Sequence, residues 1–354
     1  MGGVEGRLAG YVRELTRLGH FVEIETFSPS HAPRTIDYYG AKLHEAHSSP
    51  SHLPQSFLFT LRRMRESRID SVFLLSGGIT LFGSLLLLHC RLTHRRSAML
   101  LYGKDVLQAR RHLLTRFLLF VSTSLTDSVL ANSRFTSTLV PFVDSRKIRI
   151  LYPAIDPSIA TSDAIRSHTP GNRILFVGRI VERKGLKDLV NAFSVVVETF
   201  PEATLEIVGD GPQKSELEGM VAALELGAKV SFLGTLRGKP LYQRYSSCDV
   251  FAMPSVTLED DVEGFGTVFL EAGLFRKPSV GTMSGGIPEA VENGRTGLLV
   301  PEGNVAELAQ ALRTLLSDVN LASSLGDSGR ERVLKEFTWA ESTKRLAESL
   351  TKQQ

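Results

Sequence analysis

Hydrophobic positions along the chain come in short runs separated by segments in which apolar residues recur at helical spacing. Such alternation is typical of parallel α/β sheets. In the first half the pattern predicts strands at 21–27, 71–75, 97–102, 128–131 and 147–151. A helix is predicted over 6–18, where leucine and valine return every three or four residues.

Residues 157–171 are rich in Pro, Ser, Thr and Gly and predict a linker. Beyond it a second series begins, with strands predicted at 173–177, 204–208, 230–233, 250–253, 279–281 and 297–300. We therefore predict two Rossmann-like, doubly wound domains, 1–160 and 161–337. Open α/β sheets bind ligands at the carboxyl ends of their strands. Either one active site lies between the two domains, or two unrelated domains share one chain.

Composition is that of an ordinary globular protein, with 42% hydrophobic and 22% charged residues. The longest apolar stretch, 72–88, contains glycines and is shorter than the roughly 20 residues of a membrane-spanning helix. It predicts a strand, a glycine turn and a helix. The two cysteines give no disulfide framework and no metal-ligand spacing, which favours a reducing compartment.

Charge is divided unevenly along the chain. Residues 1–160 hold 20 Lys+Arg against 12 Asp+Glu, whereas the remainder holds 21 against 26. A basic half beside an acidic half favours contact of one face with an anionic partner.

A basic loop follows the first strand of the second domain. Arg179 and Lys184 lie between Gly178 and Gly185, just before a predicted helix. A helix N-terminus offers unpaired N–H groups and partial positive charge. Together with an arginine fork and a lysine ammonium it can bind a pyrophosphate without a metal. The alternative is a solvated basic turn.

Two carboxylates lie eight positions apart in the segment from Glu263 to Glu271. Glycines between them let backbone approach a ligand closely. Since carboxylates accept hydrogen bonds from pairs of hydroxyls, the two suit different rings of one extended sugar-containing molecule.

These motifs, in this order and followed by Ser284-Gly285-Gly286-Ile287-Pro288-Glu289, resemble family 4 of the retaining glycosyltransferases. The likeness runs over the whole second half, and it extends more loosely to the first. It implies the GT-B fold, in which two Rossmann-like domains face each other and the C-terminal one holds most of the donor. It also implies that a last helix, within 338–354, crosses back onto the first domain.

The resemblance also implies residue roles. Arg179 and Lys184 hold the donor diphosphate, Glu263 contacts the transferred sugar, and these three form the catalytic set. Glu271 bonds the ribose hydroxyls. The other donor-binding residues implied are Gly2, Gly3, Asp105, Gly264, Phe265, Gly266, Thr267 and Glu289. Where many members carry a histidine, this chain has Tyr102, so no histidine role is carried over.

Family members begin with a strand before the glycine loop, whereas this chain begins at that loop with Gly2-Gly3-Val4-Glu5. A first strand in a doubly wound sheet is interior, and its loss exposes two rows of backbone groups. We predict that the first domain lacks its first strand, with a true start roughly 10–20 residues upstream.

The implied reaction is metal-independent sugar transfer, with retention, from a nucleotide sugar to a hydroxyl of a glycan or lipid-linked acceptor. A cytoplasmic chain is expected, peripheral on the inner face of a membrane, with Arg62-Arg63-Met64-Arg65, Arg95-Arg96 and Arg110-Arg111 as candidate contacts to anionic lipid. Nucleic acid is not an expected partner, because no basic stripe is interleaved with aromatic residues. The alternatives are a catalytically impaired GT-B binding subunit and a nucleotide-sugar epimerase. A glycan phosphorylase would need a pyridoxal-lysine context, which is not found.

Overall fold

A computed structural model describes residues 3–28, 34–47, 53–75, 78–160 and 171–351. The chain divides into two compact units. Unit 1 comprises Met1–Asn132, Thr136–Ala154 and Trp339–Gln354, and unit 2 comprises Ser133–Phe135 and Ile155–Thr338. This division falls six residues before the predicted boundary at 160. The last helix groups with the first unit.

The described strands of unit 1 form two sheets. They are β1 (Glu23–Ser28), β2 (Arg34–Tyr38), β3 (Ala41–His47), β4 (Ser71–Leu74), β5 (Arg96–Leu101), β6 (Ser128–Ala131) and β7 (Ile148–Ile150). One sheet is parallel with the order β4-β5-β6-β7, and the other has the order β1-β3-β2. All five predicted strands are present in this unit. The prediction of a missing first strand stays a prediction.

The hairpin of β2 and β3 was not predicted. Its two strands pair antiparallel around Tyr39 and Gly40, whose φ angles are 53° and 82°. Two successive positive φ angles are those of a two-residue hairpin turn, which usually carries Asn-Gly or Asp-Gly. The Tyr-Gly pair gives that signal only weakly.

The helices of unit 1 are α1 (Gly3–Arg17), α2 (Leu53–Glu66), α3 (Leu81–Leu92), α4 (Gly103–Arg111), α5 (Leu113–Leu125) and α14 (Trp339–Leu350). A short helix, α6 (Arg134–Thr138), is divided between the units, since Arg134 and Phe135 group with unit 2 and the rest of the helix with unit 1. The first helix and the last pack together, and the Tyr11 ring meets Trp339 edge-on at 5.2 Å between centroids. Gly10 permits this approach, because a Cβ there would lie 2.3 Å from the indole ring.

Unit 2 is built on one parallel sheet. Its strands are β8 (Arg173–Val177), β9 (Thr204–Val208), β10 (Val230–Gly234), β11 (Val250–Met253), β12 (Ser279–Thr282) and β13 (Gly297–Val300). Their order is β10-β9-β8-β11-β12-β13. The chain moves outward from β8 on one side and from β11 on the other. The boundary between these two neighbours is therefore the topological switch point, where open α/β sheets bind ligands.

The helices of unit 2 are α7 (Leu186–Thr199), α8 (Lys214–Ala223), α9 (Lys239–Ser247), α10 (Thr267–Leu274), α11 (Ile287–Ala290), α12 (Val305–Ser317) and α13 (Val319–Glu336). The central strands are fully buried, as Leu175 and Phe251 illustrate. Burial on both faces explains why these strands read as continuous apolar runs in the sequence. Within the described ranges, no helix combines the length and apolar character that a membrane crossing requires.

Candidate functional site

The basic loop leaves the carboxyl end of β8 at the switch point of unit 2. A short 3-10 turn, Glu182–Lys184, precedes α7, and Gly185 joins the two with φ 65°. A Cβ on Gly185 would lie 1.8 Å from the carbonyl oxygen of Pro254, which follows β11. Close contact between the loops after two neighbouring strands fixes where the basic side chains point.

The structure brings together Lys184 and Glu263, two of the three residues in the implied catalytic set. The Lys184 Nζ donates to Glu263 Oε2 at 2.5 Å and to the Met253 sulfur at 3.2 Å. The Arg183 Nη1 donates to the same carboxylate oxygen at 2.7 Å. Arg183 also forms an ion pair with Asp261 at 3.0 Å. Two cations and two carboxylates thus make a charge-balanced cluster.

The cluster is largely withdrawn from water, with 11%, 13% and 15% of the Lys184, Glu263 and Arg183 side chains exposed. Burial by itself would raise the pKa of Glu263. The nearby Lys184 ammonium and Arg183 guanidinium outweigh burial and lower that pKa to about 2. Glu263 is therefore a carboxylate at neutral pH, an acceptor for ligand hydroxyls.

Arg179 is placed differently. Its side chain is exposed, and within the described ranges its guanidinium has no hydrogen-bond or ion-pair partner. The backbone carbonyl of Arg179 accepts from the Val181 N–H at 3.0 Å, which shapes the turn. The structure therefore does not bring Arg179 into the cluster, and it leaves five N–H donors available.

The loop after β11 ends at the N-terminus of α10. Phe265 is buried, with its ring 5.5 Å from that of Phe337, and Gly266 caps the helix that Thr267 begins. The preceding backbone is held by the Gly286 N–H, which donates to the Glu263 carbonyl at 2.9 Å. First-turn N–H groups have no partner inside a helix, so they suit phosphate or hydroxyl oxygens. Gly264 lies in the same loop, between Glu263 and Phe265.

Glu271 lies within α10, and its carboxylate accepts a hydrogen bond from the Tyr245 hydroxyl at 2.6 Å. The Tyr245 ring stacks on Phe275 at 5.7 Å. Burial raises the pKa of Glu271, and the tyrosine hydrogen bond opposes this effect. Within the described residues no cation pairs with Glu271, in contrast to Glu263.

Glu289 has backbone partners. Its two carboxylate oxygens accept hydrogen bonds from the backbone N–H groups of Arg134, at 2.7 Å, and Phe135, at 2.9 Å. Arg134 and Phe135 group with unit 2, as Glu289 does. The donor-binding role predicted for Glu289 stays a prediction. In this structure the carboxylate is engaged by backbone.

Unit 1 carries the other predicted donor-binding residues. Gly2 lies outside the described residues, whereas Gly3 is the first residue of α1, which begins three residues earlier than predicted. Asp105 lies in the first turn of α4 and is exposed. Tyr102, just before that helix, has the Arg7 guanidinium over its ring at 4.8 Å.

Three residues that reasoning from sequence missed complete the site, namely Arg183, Asp261 and Tyr245. Arg183 adjoins Lys184, and Asp261 is two positions before Glu263, so the charges were visible but their pairing was not. Tyr245 lies 26 positions from Glu271 with no motif to connect them. Within the described ranges, His, Cys, Asp and Glu side chains form no group able to hold a metal ion.

Comparison of the sequence with known proteins identifies a matching family model and several relatives. Residues 160–332 match the family model described as glycosyl transferases group 1. The GDP-mannose-dependent alpha-(1-6)-phosphatidylinositol monomannoside mannosyltransferase of Mycolicibacterium smegmatis is 36% identical over 180 residues, which are 50% of this chain and 47% of that protein. The protein of the same name from Mycobacterium tuberculosis is 33% identical over 228 residues, or 62% and 58%. The chain thus matches about half the length of these curated relatives.

Solved structures resemble the whole chain. HepE from Anabaena in complex with UDP has a TM-score of 0.80 at 20% identity, covering 99% of this chain and 96% of its own. Sucrose-phosphate synthase from Thermosynechococcus elongatus has a TM-score of 0.77 at 22% identity, covering 98% and 91%. These likenesses show the fold, and the predicted GT-B class is confirmed.

Proposed function

Because residues 160–332 form a domain of the glycosyl transferases group 1, we propose that this chain transfers a sugar from a nucleoside diphosphate sugar to an acceptor hydroxyl. The observation that carries the proposal is the cluster of Lys184, Arg183 and Glu263 at the topological switch point of unit 2. A doubly wound sheet binds nucleotides at that point.

Each group in the site suits one part of such a donor. The free Arg179 guanidinium and the Lys184 ammonium suit the diphosphate, because charge-assisted bonds to phosphate oxygens are strong. The Glu271 carboxylate suits the paired hydroxyls of ribose. Glu263 suits the hydroxyls of the sugar, since it stays ionised far below neutral pH.

We propose that transfer proceeds with retention and without a metal. The bond from the anomeric carbon to the phosphate oxygen breaks, and the acceptor oxygen bonds to the same face of that carbon. The acceptor proton passes to the departing phosphate oxygen, so no protein base is needed. Arg179 and Lys184 stabilise the negative charge that develops on the leaving diphosphate.

The relatives guide the choice of substrates to test. GDP-mannose appears in the names of the curated relatives, and UDP is bound in the HepE structure. Phosphatidylinositol monomannoside, which those curated names also give, is the first lipid-linked acceptor to test.

The decisive experiment measures release of nucleoside diphosphate from GDP- and UDP-sugars, with and without acceptor, by the wild type and by Lys184→Ala. Removing Lys184 leaves Glu263 paired with Arg183, so we expect the variant to fold and to lose turnover. Lys187→Ala is the matched control, because Lys187 is half exposed and pairs with Glu216 on the surface.

The outcomes separate the candidate functions. Acceptor-dependent release that is lost only in Lys184→Ala supports the transferase. Conversion of the donor to another nucleotide sugar without acceptor would indicate an epimerase. Donor binding without turnover under every condition would indicate an impaired binding subunit.

A further inference from the structure

One helix of unit 1 exposes an apolar face. In α5 the side chains of Leu113, Leu114, Phe117 and Phe120 are between 54% and 86% exposed. Phe142 is 47% exposed and lies beside Phe120, with ring centroids 6.1 Å apart. We call these five residues the α5 apolar face. Contiguous exposed apolar surface is typical of sites that contact another protein or a membrane.

The α5 apolar face is not the side by which this helix packs on its own unit. The opposite side of α5 packs there, since Leu119 is fully buried in the core and Ser122 forms a hydrogen bond with Ser84 of α3 at 2.9 Å. The helix therefore has both a core-facing side and a second apolar side with no partner in the described part of the chain.

The neighbouring helix repeats the pattern. In α3, Leu81, Leu85, Leu88 and Leu92 recur at helical spacing and are between 39% and 71% exposed, while Leu87 and Cys90 are fully buried. Two adjacent helices thus expose leucine and phenylalanine although each already has a packed side.

Along the segment that carries these helices the charge is almost entirely of one sign, and Asp127, which follows it, pairs with Arg96 at 3.7 Å. Residues 71–126 contain seven Lys+Arg and a single acidic residue, Asp105. Arg110, Arg111 and Arg116 border the α5 apolar face directly in sequence, and all three are exposed. The predicted basic cluster in α2 is engaged within the chain, because Arg62 and Arg63 pair with Glu66 and Arg63 also pairs with Glu23.

We propose that the α5 apolar face docks the chain on the surface of an anionic lipid bilayer. Leucine and phenylalanine side chains insert at the boundary of headgroups and acyl chains, and arginines beside them contact anionic headgroups. A second copy of the chain is a poorer occupant, because a symmetric contact would bring the same arginines together. The inference does not depend on the proposed transfer reaction, since docking needs only unit 1.

The test is flotation of the full chain with vesicles of phosphatidylcholine, with or without phosphatidylglycerol. The wild type should float with the anionic vesicles, and raised salt should weaken its binding. We expect Phe117→Glu with Phe120→Glu to lower the partition coefficient by about tenfold or more, and Arg110→Ala with Arg116→Ala to remove the preference for anionic lipid.

Matched controls lie on unit 2. Val319→Glu with Leu334→Glu changes two residues of comparable exposure in α13, and Lys335→Ala removes an exposed cation there. These variants should float like the wild type. Circular dichroism shows whether each variant is folded. Donor binding by unit 2, measured separately, keeps failure of docking distinct from failure of the proposed transferase.

The proposal is overturned if the wild type does not float with anionic vesicles, or if the phenylalanine variant floats as well as the α13 control. It is also overturned if the wild type is a dimer that Phe117→Glu with Phe120→Glu disperses, because the apolar face would then be a subunit interface.

Discussion

Replacing Glu263 by glutamine should lower the free energy of unfolding of unit 2 by about 3 kcal/mol at neutral pH. The substitution keeps the shape of the side chain and removes its charge. It leaves the Lys184 ammonium and the Arg183 guanidinium, both largely buried, facing a neutral amide. Lys184 can relieve part of the cost by losing its proton, because burial already lowers its pKa. Arg183 cannot.

The magnitude follows from the pKa of the carboxyl group. Each tenfold change in an acid dissociation constant is worth about 1.4 kcal/mol, so lowering the pKa of Glu263 from 4.5 to about 2 corresponds to about 3 kcal/mol. Breaking a buried ion pair by removing one partner costs about 3–5 kcal/mol, which agrees. Because the folded-state pKa is depressed, this contribution is present above the ordinary pKa and is lost as the pH falls through about 2. It should be roughly halved by about pH 3.

The assay is urea denaturation of wild type and variant at several pH values, followed by far-ultraviolet circular dichroism. The single tryptophan, Trp339, groups with unit 1, so its fluorescence reports that unit as an internal reference. Glu218→Gln is the control, since Glu218 is 49% exposed and lies 3.8 Å from Lys214. It should change stability by less than about 1 kcal/mol. A Glu263→Gln variant as stable as this control, or a difference from wild type that does not shrink in acid, would refute the reasoning.

Three further substitutions probe the site. Arg179→Ala should leave stability within about 0.5 kcal/mol, because its guanidinium is exposed, and should weaken donor binding about tenfold or more by calorimetry. Glu271→Gln should become more stable relative to the wild type as pH rises, because burial raises the pKa of Glu271 and the wild type then carries a buried charge; melting temperature against pH checks this, and a constant difference would contradict it. Gly185→Ala should destabilise by more than about 3 kcal/mol, since its Cβ would meet the Pro254 carbonyl, whereas Gly219→Ala in α8, with open space around it, should stabilise by roughly 0.5–1 kcal/mol. Equal effects of the two glycine substitutions in urea denaturation would contradict the packing argument.

The strands of unit 2 could be predicted almost to the residue because they are buried on both faces and separated by amphipathic helices. The β2–β3 hairpin could not, since its strands alternate polar and apolar residues weakly and its Tyr39-Gly40 turn lacks the usual asparagine or aspartate. The first helix was predicted to begin three residues late, because the glycine at its N-terminus is typical of a loop.

The candidate site, too, could be predicted from the sequence only in part. Motif order singled out Lys184 and Glu263 as candidate residues, but their direct contact was not predicted; it arises because the loops that carry them follow the neighbouring parallel strands β8 and β11. Partners distant in sequence were beyond reach, such as the Arg134 and Phe135 amides that Glu289 binds. Sequence spacing gives the charges that a loop carries, whereas only the fold determines which of them neutralise one another.

The central claim is that unit 2 binds a nucleoside diphosphate sugar at the β8–β11 switch point. Calorimetric titration of UDP-, GDP- and ADP-sugars into the wild type and Glu271→Ala tests it most directly. The account predicts that the wild type binds one nucleotide class selectively and that the Glu271→Ala variant, still folded by circular dichroism, loses most of that affinity. A folded wild type that binds none of these donors, or a variant that binds as tightly as the wild type, would contradict it.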